Sequence, residues 1–250
     1  MIRAVLSAAG SVFSQFWRPA AAYRLLGEPG KVFLAMAASA AVIAGAGFLP
    51  GAFTDWDDLR SRMSAELTPG LTEEGYSPVQ ADSIVTAEIL GMKEFARGFP
   101  MAMLLERSVI ALIAALAAFG IAYSVEGRRI GKVTDFVTSS MLSQAAYAIT
   151  ASAVFLTALA VRLPDSITLS LGAFVPTGVE DPGRLHIFLY RFLSSFDVPS
   201  LATLFLWGSG LAALNGRDMG WGLRLCLSVF LLGVLLVSLP VMFATPATTQ

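Results

Sequence analysis

Five long apolar stretches with uncharged central portions constrain this chain more than any other feature. A hydrocarbon core about 30 Å thick takes roughly 17–25 apolar residues in a helix, and each stretch is close to that length. Backbone polar groups in lipid must find partners within the protein, so the stretches predict transmembrane helices. We therefore predict an all-α, polytopic membrane protein with five transmembrane helices and interfacial amphipathic helices. The spans are expected at residues 32–49, 109–125, 141–161, 198–214 and 225–244.

The composition agrees with a membrane protein and offers little for catalysis. Only 14% of the 250 residues are charged, whereas soluble domains carry about 25%. The one cysteine, Cys226, excludes an internal disulfide and is interpreted as a packing residue of the fifth span. The one histidine, His186, cannot supply the three or four ligands of a zinc site. We predict no catalytic residues, no metal and no cofactor.

Other classes of function lack their sequence signals. The chain has no glycine-rich phosphate-binding loop of the G-x-x-x-x-G-K-[ST] type. No span contains a histidine or lysine in its interior that would activate a serine nucleophile. The basic residues are scattered over short connectors, so no nucleic-acid partner is predicted.

The distribution of charge predicts the orientation in the membrane. The regions before the first span, after the second and between the last two carry nine basic and four acidic residues. The opposite side carries eight basic and fourteen acidic residues in much longer loops. Because lysine and arginine accumulate in cytoplasmic connectors, we predict a cytoplasmic N-terminus and a C-terminus outside.

Residues 1–31 form the predicted cytoplasmic, amphipathic N-terminal segment. Apolar residues recur there at helical spacing up to Phe16 and Trp17, although Gln15 and several serines interrupt the run. Trp17 beside Arg18 is typical of a helix in the headgroup region. A short helix packed on the rest of the protein is the alternative. The five-span membrane domain then covers residues 32–244, and residues 245–250 are a short tail.

Two long segments, 50–108 and 162–197, are the predicted outer loops. The first contains two helix starts, one at the acidic cluster of residues 55–58 and one at residues 77–78, where serine is the N-cap and proline follows. In the second, residues 184–196 are apolar but too short to span. Whether these helices lie on the membrane or form a separate cap stays open.

The candidate functional residues are few. Small residues recur at four-residue spacing on the first two spans, which allows helices to approach closely in lipid. Gln144 and Tyr147 are polar groups one turn apart in the third span. Terminal charges are interpreted as interface anchors, and Asp197 as a cap of the fourth span. The small residues are Ala37, Ala41 and Gly45, then Ala114, Ala118 and Ala122; the candidates for helix packing or a polar lining are Gln144, Tyr147, Asp197, Pro199, Trp207 and Gly210; the interface charges are Glu106, Arg107 and Arg224.

Four stretches show patterns of small, aromatic and apolar residues rather than catalytic signatures: residues 18–29, residues 131–136 with 144–148, residues 196–201 with 207–214, and residues 74–81. These stretches resemble the Yip family of Ypt/Rab-interacting membrane proteins, in its bacterial branch. The resemblance implies a non-enzymatic protein of the bacterial cytoplasmic membrane that acts in membrane organisation, in trafficking, or as an accessory partner of other membrane machines, including ABC-type exporters. It carries over no functional residue.

Two hypotheses about function follow. The first is an accessory or scaffold protein that contacts membrane lipids and another integral membrane protein, or forms a homo-oligomer. The second is a transporter or channel subunit for lipids or small apolar solutes. Gln144 and Tyr147 as a polar lining, together with the glycine-rich fourth span, motivate the second.

Overall fold

The structure, a computed structural model, is mostly helical, without strands, in the residues it describes, which are 10, 14–19, 22–23, 29–127, 130–161, 170–175 and 183–243. The predicted tail at residues 245–250 and most of the N-terminal segment lie outside that set. The elements, in chain order, are α1 (Pro29–Phe53), α2 (Trp56–Glu73), α3 (Pro78–Glu126), α4 (Val133–Val161), a 3-10 helix (Leu171–Phe174), α5 (Arg184–Ser194), α6 (Val198–Asn215), α7 (Met219–Ser238) and α8 (Pro240–Phe243).

Five segments are long and apolar enough to cross a membrane. Their lengths range from 18 to 49 residues. The all-α, polytopic prediction is therefore confirmed, and the chain is a multi-pass membrane protein. The segments are Val32–Phe53, Pro78–Glu126, Val133–Ala158, Val198–Asn215 and Met219–Phe243.

Helix boundaries differ most from the prediction at the second span. The expected span at 109–125 is only the last part of α3, which begins at Pro78 and continues through Pro100. Proline is tolerated inside membrane helices because neighbouring groups compensate for the lost hydrogen bond. The outer-loop helix expected after Ser77 therefore exists, but it and the second span are one helix.

The third span also begins earlier than expected. We predicted it from residue 141, and α4 begins at Val133. Its first two turns are rich in serine and threonine, which lower the local hydropathy. Their hydroxyls donate to carbonyls of the same helix, as Thr138 does to Thr134 at 2.7 Å, so the helix accommodates them. Lys132 N–H donates to Asp135 at the start of the helix.

The chain divides into two compact units. The larger consists of residues 1–42 and 107–250, and the smaller of residues 43–106. In the larger unit α4 packs on α6, and α6 packs on α7. Its core joins the C-terminal part of α3 to these helices. The buried members are Ala115, Ala118, Ala122, Phe136, Trp207, Leu211, Leu225, Cys226 and Val229.

Glycines bring α6 and α7 into backbone contact. A side chain at Gly222 would collide with the carbonyl oxygen of Gly208, and one at Gly208 would lie 2.8 Å from the side chain of Leu223. Close backbone approach of this kind lets helices associate in lipid, where the hydrophobic effect contributes nothing between them. The hairpin turns on Gly216, whose φ of 63° is left-handed, and Asp218 caps α7.

The smaller unit joins the end of α1 to α2 and the first half of α3. Gly47 lies against Pro100, and a Cβ at Gly51 would lie 3.2 Å from Ala96. Asp55 accepts hydrogen bonds from the backbone of the first turn of α2, as the acidic cluster predicted. Ser77 and Gln80 exchange hydrogen bonds at the start of α3, which is a capping box.

The small-residue face singled out on α1 is not the face that the structure buries, and the one on α3 is only partly the buried face. Ala37, Ala41 and Gly45 are all exposed, and the buried face of α1 also has four-residue spacing. On α3, Ala118 and Ala122 are buried as expected, but Ala114 is only partly buried. In an alanine-rich helix two adjacent faces both meet the spacing criterion, so spacing alone does not select one. The buried sets are Ala35, Ser39, Ile43 and Gly47 on α1, and Ala111, Ala115, Ala118 and Ala122 on α3.

Candidate functional site

A polar strip runs along one face of α4. Ser140, Gln144 and Tyr147 follow one another at intervals of four and three residues, so they lie on the same side of the helix. Ser140 is fully buried and Gln144 is 8% exposed. Neither the Ser140 hydroxyl nor the Gln144 amide oxygen, which can only accept, has a hydrogen-bond partner in the described part of the chain. Buried polar atoms in this state are costly, and each can bond to water or to a ligand.

The strip lies at the depth of the bilayer interior. The part of α4 that is long and apolar enough to cross a membrane runs from Val133 to Ala158. Gln144 stands about 17 Å from the start of that segment, because a helix rises about 1.5 Å per residue. Gln144 is therefore near the middle of the spanning segment.

Arg107 of α3 contacts Tyr147, the last residue of this strip. Its guanidinium carbon lies 3.8 Å from the centroid of the Tyr147 ring, which is cation–π geometry. The segment of α3 from Arg107 to Glu126 rises about 28 Å, so these two charges mark opposite ends of the bundle. Glu106 is exposed. Sequence analysis singled out both Arg107 and Tyr147 but gave no signal that they meet.

The candidates on α6 divide into a cap and packing residues. Asp197 caps the helix by accepting from the Ser200 backbone N–H at 2.6 Å, and Pro199 is buried in the first turn. Trp207 is 6% exposed within the bundle core. Gly210 lies against the Tyr23 ring, where any side chain would collide. These three residues are buried in packing contacts, and the indole N–H of Trp207 has no hydrogen-bond partner among the described residues.

Arg224 is exposed and lies in the second turn of α7, because that helix begins at Met219 and not at the predicted residue 225. Its backbone carbonyl accepts from Ser228 at 2.9 Å. Cys226 is fully buried in the core, in agreement with its interpretation as a packing residue.

The described part of the N-terminal segment is anchored in the larger unit. Tyr23 is 1% exposed, and its hydroxyl donates to Gln15 Oε1 at 3.1 Å. Gln15 Nε2 in turn donates to the Leu142 carbonyl of α4 at 3.3 Å. Burial, with a smaller contribution from Cys226, raises the pKa of the Tyr23 phenol above its usual range, so the phenol keeps its proton.

This anchoring concerns the described residues of the segment, and the amphipathic segment at residues 1–31 stays a prediction. A helix confined to the headgroup region does not fit Gln15 and Tyr23, which are buried, although Trp17 is 79% exposed. The alternative, a segment packed on the protein, fits them. The sequence signal was the glutamine itself, because a polar residue within an apolar run needs a partner when it is buried.

Sequence analysis missed a second cluster, at the Glu126 end of the bundle. The Glu126 carboxylate accepts from the Trp221 indole N–H and from Arg217. Asn215 accepts from Gly131 at 2.7 Å and donates to the Leu211 carbonyl at 2.8 Å. These bonds tie the end of α3, the connector before α4 and the α6–α7 turn together.

None of these clusters has the composition of a metal centre. The described residues contain no group of three or more histidine, cysteine or acidic side chains placed to hold a metal ion. His186 lies in α5, whose neighbours are the 3-10 helix, α7 and α8.

Comparisons with known proteins identified no relative of this chain. No protein-family model matches the chain, and neither curated proteins nor solved structures give a match.

Proposed function

We propose that this chain is a non-enzymatic accessory or scaffold protein of a bacterial cytoplasmic membrane, similar to the Yip family. It acts through helix and interface contacts with membrane lipids and with a partner membrane complex, for which an ABC-type exporter is a candidate, or with a second copy of itself. Its N-terminus is cytoplasmic and its C-terminus is outside.

The uneven burial of the spans is the observation that supports this function most. Half of the α6 span is buried, whereas only 22% of the spanning windows in α1 and α3 is buried. The exposed face of α1 carries Ala37, Ala41 and Gly45. Small side chains at this spacing allow another helix to approach closely in lipid. The chain therefore offers exposed apolar helix surface on α1 and α3.

Co-purification tests the scaffold function. The full chain would be extracted from its native membrane in mild detergent, and the accompanying proteins identified by mass spectrometry. We expect a stable partner or a homo-oligomer, and we expect Ala41→Leu to reduce its recovery several-fold. Gly233→Leu is the control, because Gly233 is exposed on α7 with nothing within 4 Å of an added Cβ. Recovery of the wild-type chain as a lone monomer would contradict the proposal.

Reporter fusions test the proposed topology. A reporter active only in the cytoplasm should work at the N-terminus and fail at the C-terminus. A reporter active only outside should give the opposite result. Activity of one reporter at both ends would require an even number of spans and would overturn the topology.

The polar strip of α4 supports the alternative, a transporter or channel subunit for lipids or small apolar solutes. Buried polar groups near the bilayer midplane often mark pathways. In liposomes containing the purified chain, this function predicts lipid scrambling or solute flux that Gln144→Leu reduces. Flux equal to that of empty liposomes would remove the alternative.

A further inference from the structure

The smaller unit has an unusual charge balance. Residues 43–106 contain ten acidic and four basic side chains. Two of the four are ion-paired, Arg60 with Asp82 and Arg62 with Asp58, each at 3.1 Å. The other two, Lys93 and Arg97, form no ion pair with any residue that the structure describes.

Both of these cations line the same half-open cavity of about 460 Å³. They lie four residues apart on α3, so they are adjacent on one face of the helix. Lys93 Nζ stands 5.7 Å from the centroid of the Trp56 ring. Gly51 and Ala96 line the cavity on α1 and α3, where a Cβ at Gly51 would lie 3.2 Å from Ala96, and Phe48 lines the apolar side and is 61% exposed.

The cavity lies at the end of the apolar, membrane-spanning part of α1. The spanning segment stops at Phe53, and Trp56 begins α2 after two polar residues. Tryptophan is enriched at this depth, because its ring is apolar and its N–H is polar. Ala96, next to Arg97, lies opposite Gly51, and Lys93 lies at the Trp56 ring. An apolar wall and two cations are therefore adjacent in this cavity, as the acyl chain and the phosphate of a phospholipid require.

We propose that this cavity binds the phosphate headgroup of an anionic phospholipid. Arg97 suits the phosphate oxygens because its planar guanidinium donates two parallel hydrogen bonds, and Lys93 adds a second positive charge. The acyl chain lies against Phe48. Two cations favour a lipid with net negative charge over a zwitterionic one. The proposal depends on membrane embedding and not on any protein partner.

Native mass spectrometry of the purified full chain tests the site. The chain in detergent would be mixed with equal amounts of phosphatidylglycerol and phosphatidylcholine, and the retained lipids counted. A basic residue near anionic lipid contributes about a fivefold preference, so the pair should give about a 25-fold preference for phosphatidylglycerol. Lys93→Gln with Arg97→Gln should abolish that preference.

The matched control is Arg60→Gln with Arg62→Gln. It removes the same charge from the same unit, outside the cavity, and should keep the preference. Equal retention of both lipids by the wild-type chain would overturn the proposal. So would a preference that persists in a folded Lys93→Gln, Arg97→Gln variant.

A second measurement keeps the test decisive if that variant does not fold. The wild-type chain and Trp56→Phe would each be placed in bilayers that contain brominated phosphatidylglycerol or brominated phosphatidylcholine. The fluorescence of the wild-type chain minus that of the variant is the signal of Trp56 alone. We expect stronger quenching of Trp56 by the anionic lipid, weakened by salt. Equal quenching by the two lipids would contradict the site. Neither measurement involves a partner, so its outcome is separate from that of the co-purification.

Discussion

Both units of this protein have close glycine contacts between helices, but they differ in the polar groups that stabilise them. In the larger, Gly208 and Gly222 bring two helix backbones into contact, and the Glu126 carboxylate, whose side chain is 18% exposed, binds Trp221 and Arg217. In the smaller, Arg60 joins α2 to Asp82 of α3 and Arg62 pairs with Asp58 within α2, through side chains that are 47–62% exposed.

The difference has a physical consequence for stability. Substitutions in a close-packed interior disturb many contacts at once, because native packing leaves few voids. Exposed ion pairs contribute little, because water and salt screen them. Substitutions at the buried contacts of the larger unit should therefore cost much more than substitutions at the exposed ion pairs of the smaller, and four of them test this expectation.

Gly222→Val should have the largest effect. Its side chain would collide with the Gly208 carbonyl oxygen and force α6 and α7 apart. Overpacking of this kind costs about 3 kcal/mol of unfolding free energy. Thermal unfolding in detergent measures it, with Gly233→Val as the control because Gly233 has open space around it. Equal stability of the two variants would show that the glycine contact is not required.

Glu126→Ala should have the second largest effect. It removes two hydrogen bonds to a charged acceptor and leaves Trp221 and Arg217 without it. We expect a loss of about 2 kcal/mol. A double-mutant cycle with Arg217→Ala measures the coupling between the two side chains. If the losses of the two single variants add up to the loss of the double variant, the Glu126 and Arg217 side chains are not coupled.

Asp197→Ala removes the N-cap of α6 and should cost about 1 kcal/mol. The cap bond to Ser200 N–H is 2.6 Å long. Asp57→Ala is the comparison, because Asp57 lies in the first turn of α2, where the cap is Asp55. Unfolding midpoints measured by circular dichroism should separate the two variants. A larger loss from Asp57→Ala would contradict the assigned cap.

Arg60→Gln should have the smallest effect, at about 0.5 kcal/mol, because its partners Asp82 and Thr86 are exposed. The loss should shrink further in high salt. Chemical unfolding at low and high ionic strength measures both quantities. A loss as large as that of Gly222→Val would refute the contrast between the units.

The sequence predicts the existence of the spans well, because hydropathy is a local property. The α6 span ends within one residue of its predicted limits, where Asp197 and Asn215 supply clear boundary signals. Hydropathy wrongly divides α3 into an outer-loop helix and a separate span. The charged residues before Arg107 lower the hydropathy without ending the helix.

Contacts between helices are predicted poorly, because they depend on rotation about each axis. Small residues occupy several faces of α1, and the spacing criterion selected the exposed one. The pairing of Arg107 with Tyr147 and the cavity between Trp56 and Lys93 each join residues about 40 positions apart. A local sequence pattern does not predict contacts between residues so far apart in the chain.

The turn at Gly216 has a consequence for how the protein is made. Only residues 216–218 separate α6 from α7, and they are held by Asn215 on one side and the Asp218 cap on the other. Because so few residues connect them, we expect the two helices to enter the bilayer together as a pair. An epitope inserted at this turn should separate the two backbones.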